Sequence, residues 1–506
     1  VHPTARAVFA IARADLRERT RRYPFLWALG LTCWLGWLAS EGTLRVQLGD
    51  FRGRLDSAWI GSSLAVIAST MLGLVGFWLA RGSVERDRAT GVGPVLATTP
   101  LSRGAYLAGK WLSHVGYLGA LLALLGLAAV AMTLRNGDGG LDLLALWSPL
   151  LLLALPGLAF VSGLVVAFEV VPGLRGGFGN VAWFFAWGAL FAASMQLGPN
   201  ADFSGMGLAR ESMRAAIRAE HGVDERSFTV GGGPHEAARV FTFRGVEWDA
   251  ASLARRLGWI GFGVLAALAA TPFFDRFDPA RRLPSRPAAP APSAAVPEAV
   301  LAPATPRRDA IDVQRLPRAD RSRLAVAALL LGELRRILRG RSTWWWLASA
   351  GVLVAAFTGA DPRGPGAFAL LWPVLLWSRL GAPDVAVAPL LAACPHPVRT
   401  PLVARALAGL ILGAPFVLAR AAGGAGTEPT VFAAALAFPP ALALALGAVA
   451  GTPKAFEATW TALWYLALQT PSLDFFGATP TPRPGPFLVA IPGLLLIAAL
   501  VAGRRR

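Results

Sequence analysis

The sequence predicts an all-α integral membrane protein, polytopic, with about twelve transmembrane helices arranged as two parallel six-helix repeats. Three observations carry that expectation. Of the 506 residues 55% are hydrophobic and only 15% are charged, which is more apolar surface than a soluble chain of this length buries. The apolar residues gather into runs of span length. The second half of the chain repeats landmarks of the first in the same order.

Runs of about 17–25 apolar residues cross a bilayer as helices, because a helix satisfies its own backbone polar groups. Such runs lie near 24–40, 58–80, 111–134, 143–168, 178–197 and 257–274, and again near 343–360, 366–380, 406–421, 430–450, 458–471 and 487–502. The weakest are 366–380, which is short, and 458–471, which follows Glu457 directly.

The formal charge is +18, from 48 Lys and Arg against 30 Asp and Glu. A basic balance suits nucleic acid, but in so apolar a chain positive inner loops explain it better, and no nucleic-acid partner is expected. With the N-terminus inside, the inner segments hold 33 of the Lys and Arg residues and the outer ones 15, of which 8 lie in the long loop 198–256. Both termini are therefore expected in the cytoplasm. Arginines scatter through residues 6–22 with no cleavage site behind them, so the first apolar run reads as an anchor rather than a removed signal. Lys110 and Lys454 are the only lysines. Arginine in place of lysine, with abundant Ala, Gly and Pro, points to a GC-rich bacterium and its plasma membrane.

Residues 1–277 form the first expected half, with its outer loop at 198–256. Residues 278–322 carry nine prolines among alanines and arginines. Neither helix nor strand survives that spacing, so a cytoplasmic linker is expected there, followed by a shorter second half at 323–506. In the outer loop, 205–221 reads as a charged helix. Ser227–Val230 and Arg239–Phe243 flank Gly231-Gly232-Gly233 and read as a hairpin. That loop is a spacer or lid, or an element that binds substrate or a partner.

The repeat shows in four matched landmarks. Asp15-Leu16-Arg17 matches Glu333-Leu334-Arg335 at an offset of 318. Val92–Lys110 matches the stretch from Val387 to Arg405 at an offset of 295, with six of nineteen positions identical. Pro156 meets Pro440, and Pro199…Asp202-Phe203 meets Pro471…Asp474-Phe475, at offsets of 284 and 272. Steadily falling offsets are what shorter loops in the second half produce, and an even number of spans per repeat makes the repeats parallel.

Several motifs carry less than they promise. Gly104–Lys110 matches seven positions of a phosphate-binding loop, but Trp111 stands where Ser or Thr must hold magnesium. This chain is therefore not expected to hydrolyse ATP. His235-Glu236-Ala237-Ala238-Arg239 lacks the second histidine of a zinc-protease motif. Cys33 and Cys394 read as lone thiols, and no metal site is expected. Spans almost free of charge argue against ion-coupled pumping.

The informative segment is Arg81–Lys110. Glu85-Arg86-Asp87-Arg88-Ala89-Thr90-Gly91 leads through an apolar stretch to Thr99-Pro100, and Gly109-Lys110 opens the next span. The mixed charges suit a short helix on the cytoplasmic face, ended by Gly91 and followed by a break at Pro100. Read blandly, it is a positive-inside loop, although about thirty residues connect spans that six would join. The pattern resembles the permease subunits of ABC transporters, specifically the type 2 export branch. Val8, Ala12 and Leu16, an apolar stripe beside Arg13 and Arg17, fit that family's amphipathic connecting helix.

The resemblance implies a permease forming the translocation path of an exporter, with two permease halves in one chain. It implies two separate ATPase subunits at the cytoplasmic loops, which would carry the ATP and magnesium; the chain itself would be no enzyme and need no cofactor. Glu85, Arg86, Asp87 and Arg88 are the expected ATPase contacts, and Gly91 and Pro100 shape the segment. Arg175, Asp384 and Lys454 are weaker candidates. In the second half Leu380, Gly381, Ala382 and Pro383 stand where the charged cluster should be. The exported substrate is not readable. The competing readings are a membrane-embedded enzyme acting on lipid-linked substrates, which needs an acidic or histidine cluster near one face that the sequence does not display, and a non-transporting sensor or assembly factor.

Overall fold

The computed structural model describes residues 3–231, 239–277, 325–339, 341–359, 361, 363–381 and 398–504. The expected linker at 278–322, Asp384 and Cys394 lie outside them. The chain is an all-α polytopic membrane protein. Its first bundle comprises α1 (Pro3–Thr20), α2 (Tyr23–Ser40), α3 (Ser57–Ala80), the short α4 (Ser83–Ala89) and α5 (Val92–Ala97), and α6 (Arg103–Asn136). It continues with α7 (Leu143–Pro149), α8 (Leu155–Val170), α9 (Gly177–Gln196), α10 (Met206–His221) and α11 (Ala250–Ala269). The second comprises α12 (Ala325–Leu338), α13 (Thr343–Thr358), α14 (Pro365–Leu371), α15 (Val374–Trp377), α16 (Arg399–Ala422), α17 (Pro429–Ala450), α18 (Pro453–Gln469) and α19 (Gly485–Arg504).

Among the described residues eight helices are long and apolar enough to cross a membrane. The other four expected spans are helical but shorter or more polar. Tyr23–Ser40 has 18 residues, three of them Trp. Thr343–Thr358 has 16 and Pro453–Gln469 has 17, the latter opening on Lys454 and Glu457. The run at 366–380 is broken between α14 and α15, where Pro373 offers no N–H to continue the ladder.

Local chemistry fixes the helix starts. Asp56 accepts from Trp59 N at 2.8 Å to cap α3, Ser102 caps α6 through Ala105 N, and Asp249 and Ser252 form a reciprocal capping box on α11. The helix α3 is hydrophobic all round and buried along almost its whole length, as a central helix must be. Around it α2, α6, α7 and α8 form the larger core, while Trp377, Trp460 and Phe475 centre the core of the second bundle. The bundles meet where α18 packs on α3: Ala458 and Ala462 share a cluster with Leu74, Phe77 and Trp183.

We call the face that carries α1, α4 and α5 proximal and the opposite face distal. On the distal face a small β region replaces the expected hairpin. The strand β1 (Arg45–Gln47) pairs antiparallel with β3 (Thr229–Gly231), and β2 (Phe51–Gly53) pairs parallel with β4 (Arg239–Phe241). Strand forms within or beside both expected segments, at Thr229–Gly231 and Arg239–Phe241, but each pairs with the loop after α2 rather than with the other. Packing drives the exchange: Phe241 and Phe243 meet Trp59 edge-on, at 5.5 and 6.0 Å between ring centres. The charged helix at 205–221 forms as α10, and Arg214 and Arg218 hydrogen-bond the Asp224 carboxylate and hold its pKa at about 2.

The helices α8 and α11 cross at Gly163 and Gly263, where a Cβ on Gly163 would overlap the Gly263 carbonyl. Gly163→Leu is expected to lower Tm, overpacking of this kind costing about 1–3 kcal/mol. Gly188→Leu, into open space on α9, should leave Tm unchanged. Thermal unfolding of the detergent-purified chain reads both, and equal effects would contradict this crossing.

Candidate functional site

The segment 81–102 sits on the proximal face as two short helices. A helix of seven residues has no stability of its own, so α4 depends on what surrounds it. Its start is held by Glu169, the penultimate residue of α8. One carboxylate oxygen accepts from Gly82 N and Ser83 N, and the other from Ser83 Oγ and Val84 N at 2.8 Å each. A carboxylate at a helix N-terminus both satisfies unpaired N–H groups and faces the positive end of the dipole. Gly82 has φ +101°, and a Cβ there would overlap Lys454 Nζ, so this corner requires glycine.

Beneath α4 lies a buried ion network centred on Asp15 of α1, whose side chain is 2% exposed. Arg19 Nε and Ser113 Oγ donate to Oδ2 at 2.7 and 2.6 Å, and Lys110 Nζ donates to Oδ1 at 2.7 Å, beside the Arg86 guanidinium. Lys110 also meets Asp87 at 2.8 Å, and Tyr106 OH donates to the same carboxylate at 2.6 Å. Arg19 reaches on to the Ala80 carbonyl and His114. Burial alone would raise the Asp15 carboxyl, but Arg19, Lys110 and Arg86 outweigh it and hold the group far below the usual carboxylate range.

The sequence-predicted residues therefore separate. Asp87 is buried, Arg86 bridges Asp15 and Glu18, and Arg88 donates to both oxygens of Asp275 at 2.9 and 3.0 Å. Burial raises the Asp275 carboxyl, yet Phe277 N and the Arg88 guanidinium bring it below its ordinary value. Glu85 alone of the four is fully exposed, at 77% of its side chain. Gly91 turns the chain at φ +74° between α4 and α5, and Pro100 lies exposed in the turn before α6. Arg175 ties the α8–α9 loop to Asp275, and Lys454 donates to the Arg81 carbonyl at 2.6 Å across the two bundles. Gly104–Lys110 is regular helix with Lys110 held in ion pairs, a geometry without a phosphate cradle.

Two features escaped the sequence reading. The first is an acidic and histidine cluster near one face: Asp15, Asp87, His114 and Glu169 come together from four segments. Asp15, Glu18 and Asp87 approach one another, but Lys110 and Arg86 lie between them, so the cluster is neutralised from within and offers no open acid or base. The second is the exposed tip of the segment, which is apolar: Val92 and Val95 of α5 are 46% and 64% exposed. No family model matches the chain, and no curated protein matches it.

Asp15→Asn removes the charge that three buried cations share. It is expected to cost about 3–5 kcal/mol, the range for breaking a buried pair. Because the folded pKa lies below the unfolded value of about 3.9, the contribution of Asp15 is complete above roughly pH 4 and is lost as pH falls below it. The gap in unfolding free energy between wild type and Asp15→Asn should thus be constant from pH 7 to 5 and shrink by about 1.4 kcal/mol per pH unit below 4. A gap as wide at pH 3 as at pH 7 would contradict this reading.

Proposed function

We propose that the chain is the membrane permease of an ATP-driven ABC-type exporter, with twelve spans in two parallel halves and with ATPase subunits docking on the proximal face, which is then cytoplasmic. The observation that carries the reading is the segment 81–102. A connection between two spans is built as two short helices, clamped to four other elements through Asp15, Glu169, Asp275 and Lys110, and presents an apolar tip. A loop that only joined spans would need none of those fastenings. Force applied at the tip passes through buried ion pairs into α1, α6 and α8, as a coupling element requires.

The division of labour within the segment follows from burial. Glu85, Val92 and Val95 form the docking surface, shaped by Gly91 and Pro100. Arg86, Asp87 and Arg88 transmit rather than touch. Arg175 and Lys454 brace the neighbouring inner loops.

The duplication is supported by paired contacts. The pair Asp15–Lys110 has a counterpart in Glu333, which accepts from Arg405 Nε at 2.8 Å, on the residues aligned by the sequence landmarks. Trp183 Nε1 donates to the Leu74 carbonyl at 3.0 Å, and Trp460 Nε1 to the Leu370 carbonyl at 3.2 Å, each joining the fifth helical run of its half to the second. One chain then supplies both halves of a pathway, between the bundles at the junction of α3 and α18.

The test is affinity purification of the full chain from its native membrane. One copy of the chain with two copies of a P-loop ATPase is expected. Val92→Asp with Val95→Asp should abolish that association while the chain keeps its Tm, since both side chains are exposed. A chain that purifies without an ATPase, or a double variant that retains one at wild-type yield, would refute the proposal.

A further inference from the structure

Between the bundles on the proximal face lies a cavity of about 300 Å³. Five cations line it: Arg81, Arg175, Arg341, Arg379 and Lys454. Three carboxylates share the wall, Glu85, Glu169 and Glu457, which leaves a surplus of two positive charges among the described residues. Glu169 and Glu457 offset Arg81 and Lys454 in part, and both carboxylates are engaged elsewhere as well. Both oxygens of Glu169 are engaged by the start of α4, and Glu457 accepts from Asn180 Nδ2 at 2.9 Å.

The cations hydrogen-bond mostly to neutral groups. Arg81 donates to the Asn180 side chain and the Leu174 and Gly176 carbonyls, Arg341 to the Ile337 and Leu375 carbonyls, and Lys454 to the Arg81 carbonyl. The guanidinium of Arg379 is exposed and makes no hydrogen bond or ion pair among the described residues. It lies close enough to Arg341 for the two like charges to repel. Arg341 and Arg379 converge on this cavity with no ion pair to a carboxylate among the described residues, and such a pair makes a seat for a multivalent oxyanion, because guanidinium groups match phosphate oxygens in pairs.

The cavity does not end in the protein. Asn180, Leu375 and Glu457 line it and also line a second, narrow cleft that continues along the seam between the bundles. That cleft is walled by Trp78, Phe184, Phe185, Phe368 and Trp372. Phe185 is 55% exposed, so the seam opens at the protein surface. A cationic mouth leading into an aromatic seam has the polarity of a single molecule with a charged head and an apolar chain.

We propose that this composite site binds an anionic amphiphile, with a phosphate-bearing head on Arg341, Arg379 and Lys454 and an apolar chain between Phe185, Phe368 and Trp372. Its role as cargo rests on the permease reading above, and its binding does not. The head chemistry is shared by a resident phospholipid and by an exchangeable amphiphilic phosphate.

The experiment uses the full chain, purified in dodecyl maltoside without any ATPase, and measures binding of dodecyl phosphate by native mass spectrometry. Inorganic phosphate serves as the head alone, and the neutral detergent supplies the chain alone. Dodecyl phosphate is expected to bind at least tenfold more tightly than inorganic phosphate. Arg341→Ala with Arg379→Ala is expected to weaken it at least tenfold; Arg379→Ala alone, at an exposed position that the fold does not need, should weaken it severalfold with Tm unchanged. Competition by phosphatidylglycerol in nanodiscs supports the proposal with a resident lipid as occupant, and undiminished binding there supports it with an exchangeable one. Equal affinity for inorganic phosphate, or dodecyl phosphate binding unchanged in Arg379→Ala, overturns it. Because no ATPase is present, a failed association with an ATPase and a failed amphiphile site give separate results.

Discussion

One buried carboxylate organises the proximal half of the first bundle. Asp15 takes hydrogen bonds from Arg19, Lys110 and Ser113 and lies against Arg86, so α1, α4 and α6 converge on a single side chain. A charge removed from water in this way is tolerable only when its partners are complete. The surrounding sequence obeys that condition: Asp87, which also accepts from Tyr106, completes Lys110, and His114 and the Ala80 carbonyl complete Arg19. The amphipathic helix α1 is therefore fastened to the bundle rather than merely resting on its surface, and the segment after α3 is fastened to α1.

Much of this was legible in the sequence, and the rest was illegible for identifiable reasons. The helices follow from apolar length, a local property, and every expected run holds helix among the described residues, the one at 366–380 in two pieces. Pro373 and the tryptophans of α2 set the limits, because a proline breaks a ladder and Trp lowers hydropathy without leaving the membrane interface. The hairpin failed because strand pairing is non-local: three-residue strands carry no register of their own, and Trp59 decided which partners they took. The charged row Glu85–Arg88 was visible, but its direction was not. Mixed charge reads as a solvated face unless its counter-ions are known, and those stand far away in sequence, at Asp15, Lys110 and Asp275. One signal was available. The matched sequence landmarks align an acid at 15 and 333 and a base at 110 and 405, and Asp15 meets Lys110 as Glu333 meets Arg405.

The two bundles hold their buried charges differently. The first has a buried carboxylate with three cations and a distal β cap. The second has the simpler trio of Glu333, Arg336 and Arg405. Where they meet, charge collects at the proximal end of the seam and aromatic rings fill its middle.

The ion network, not local helix propensity, holds α4 in place. Amide hydrogen exchange over residues 83–89 in the full chain, compared between wild type and Lys110→Met, tests it most directly. Lys110 touches no backbone group of α4, so a purely local helix is indifferent to its loss. Slow exchange is expected in the wild type and exchange at least tenfold faster over 83–89 in the variant, with the interior of α3 still protected. Unchanged protection of α4 in Lys110→Met would contradict it.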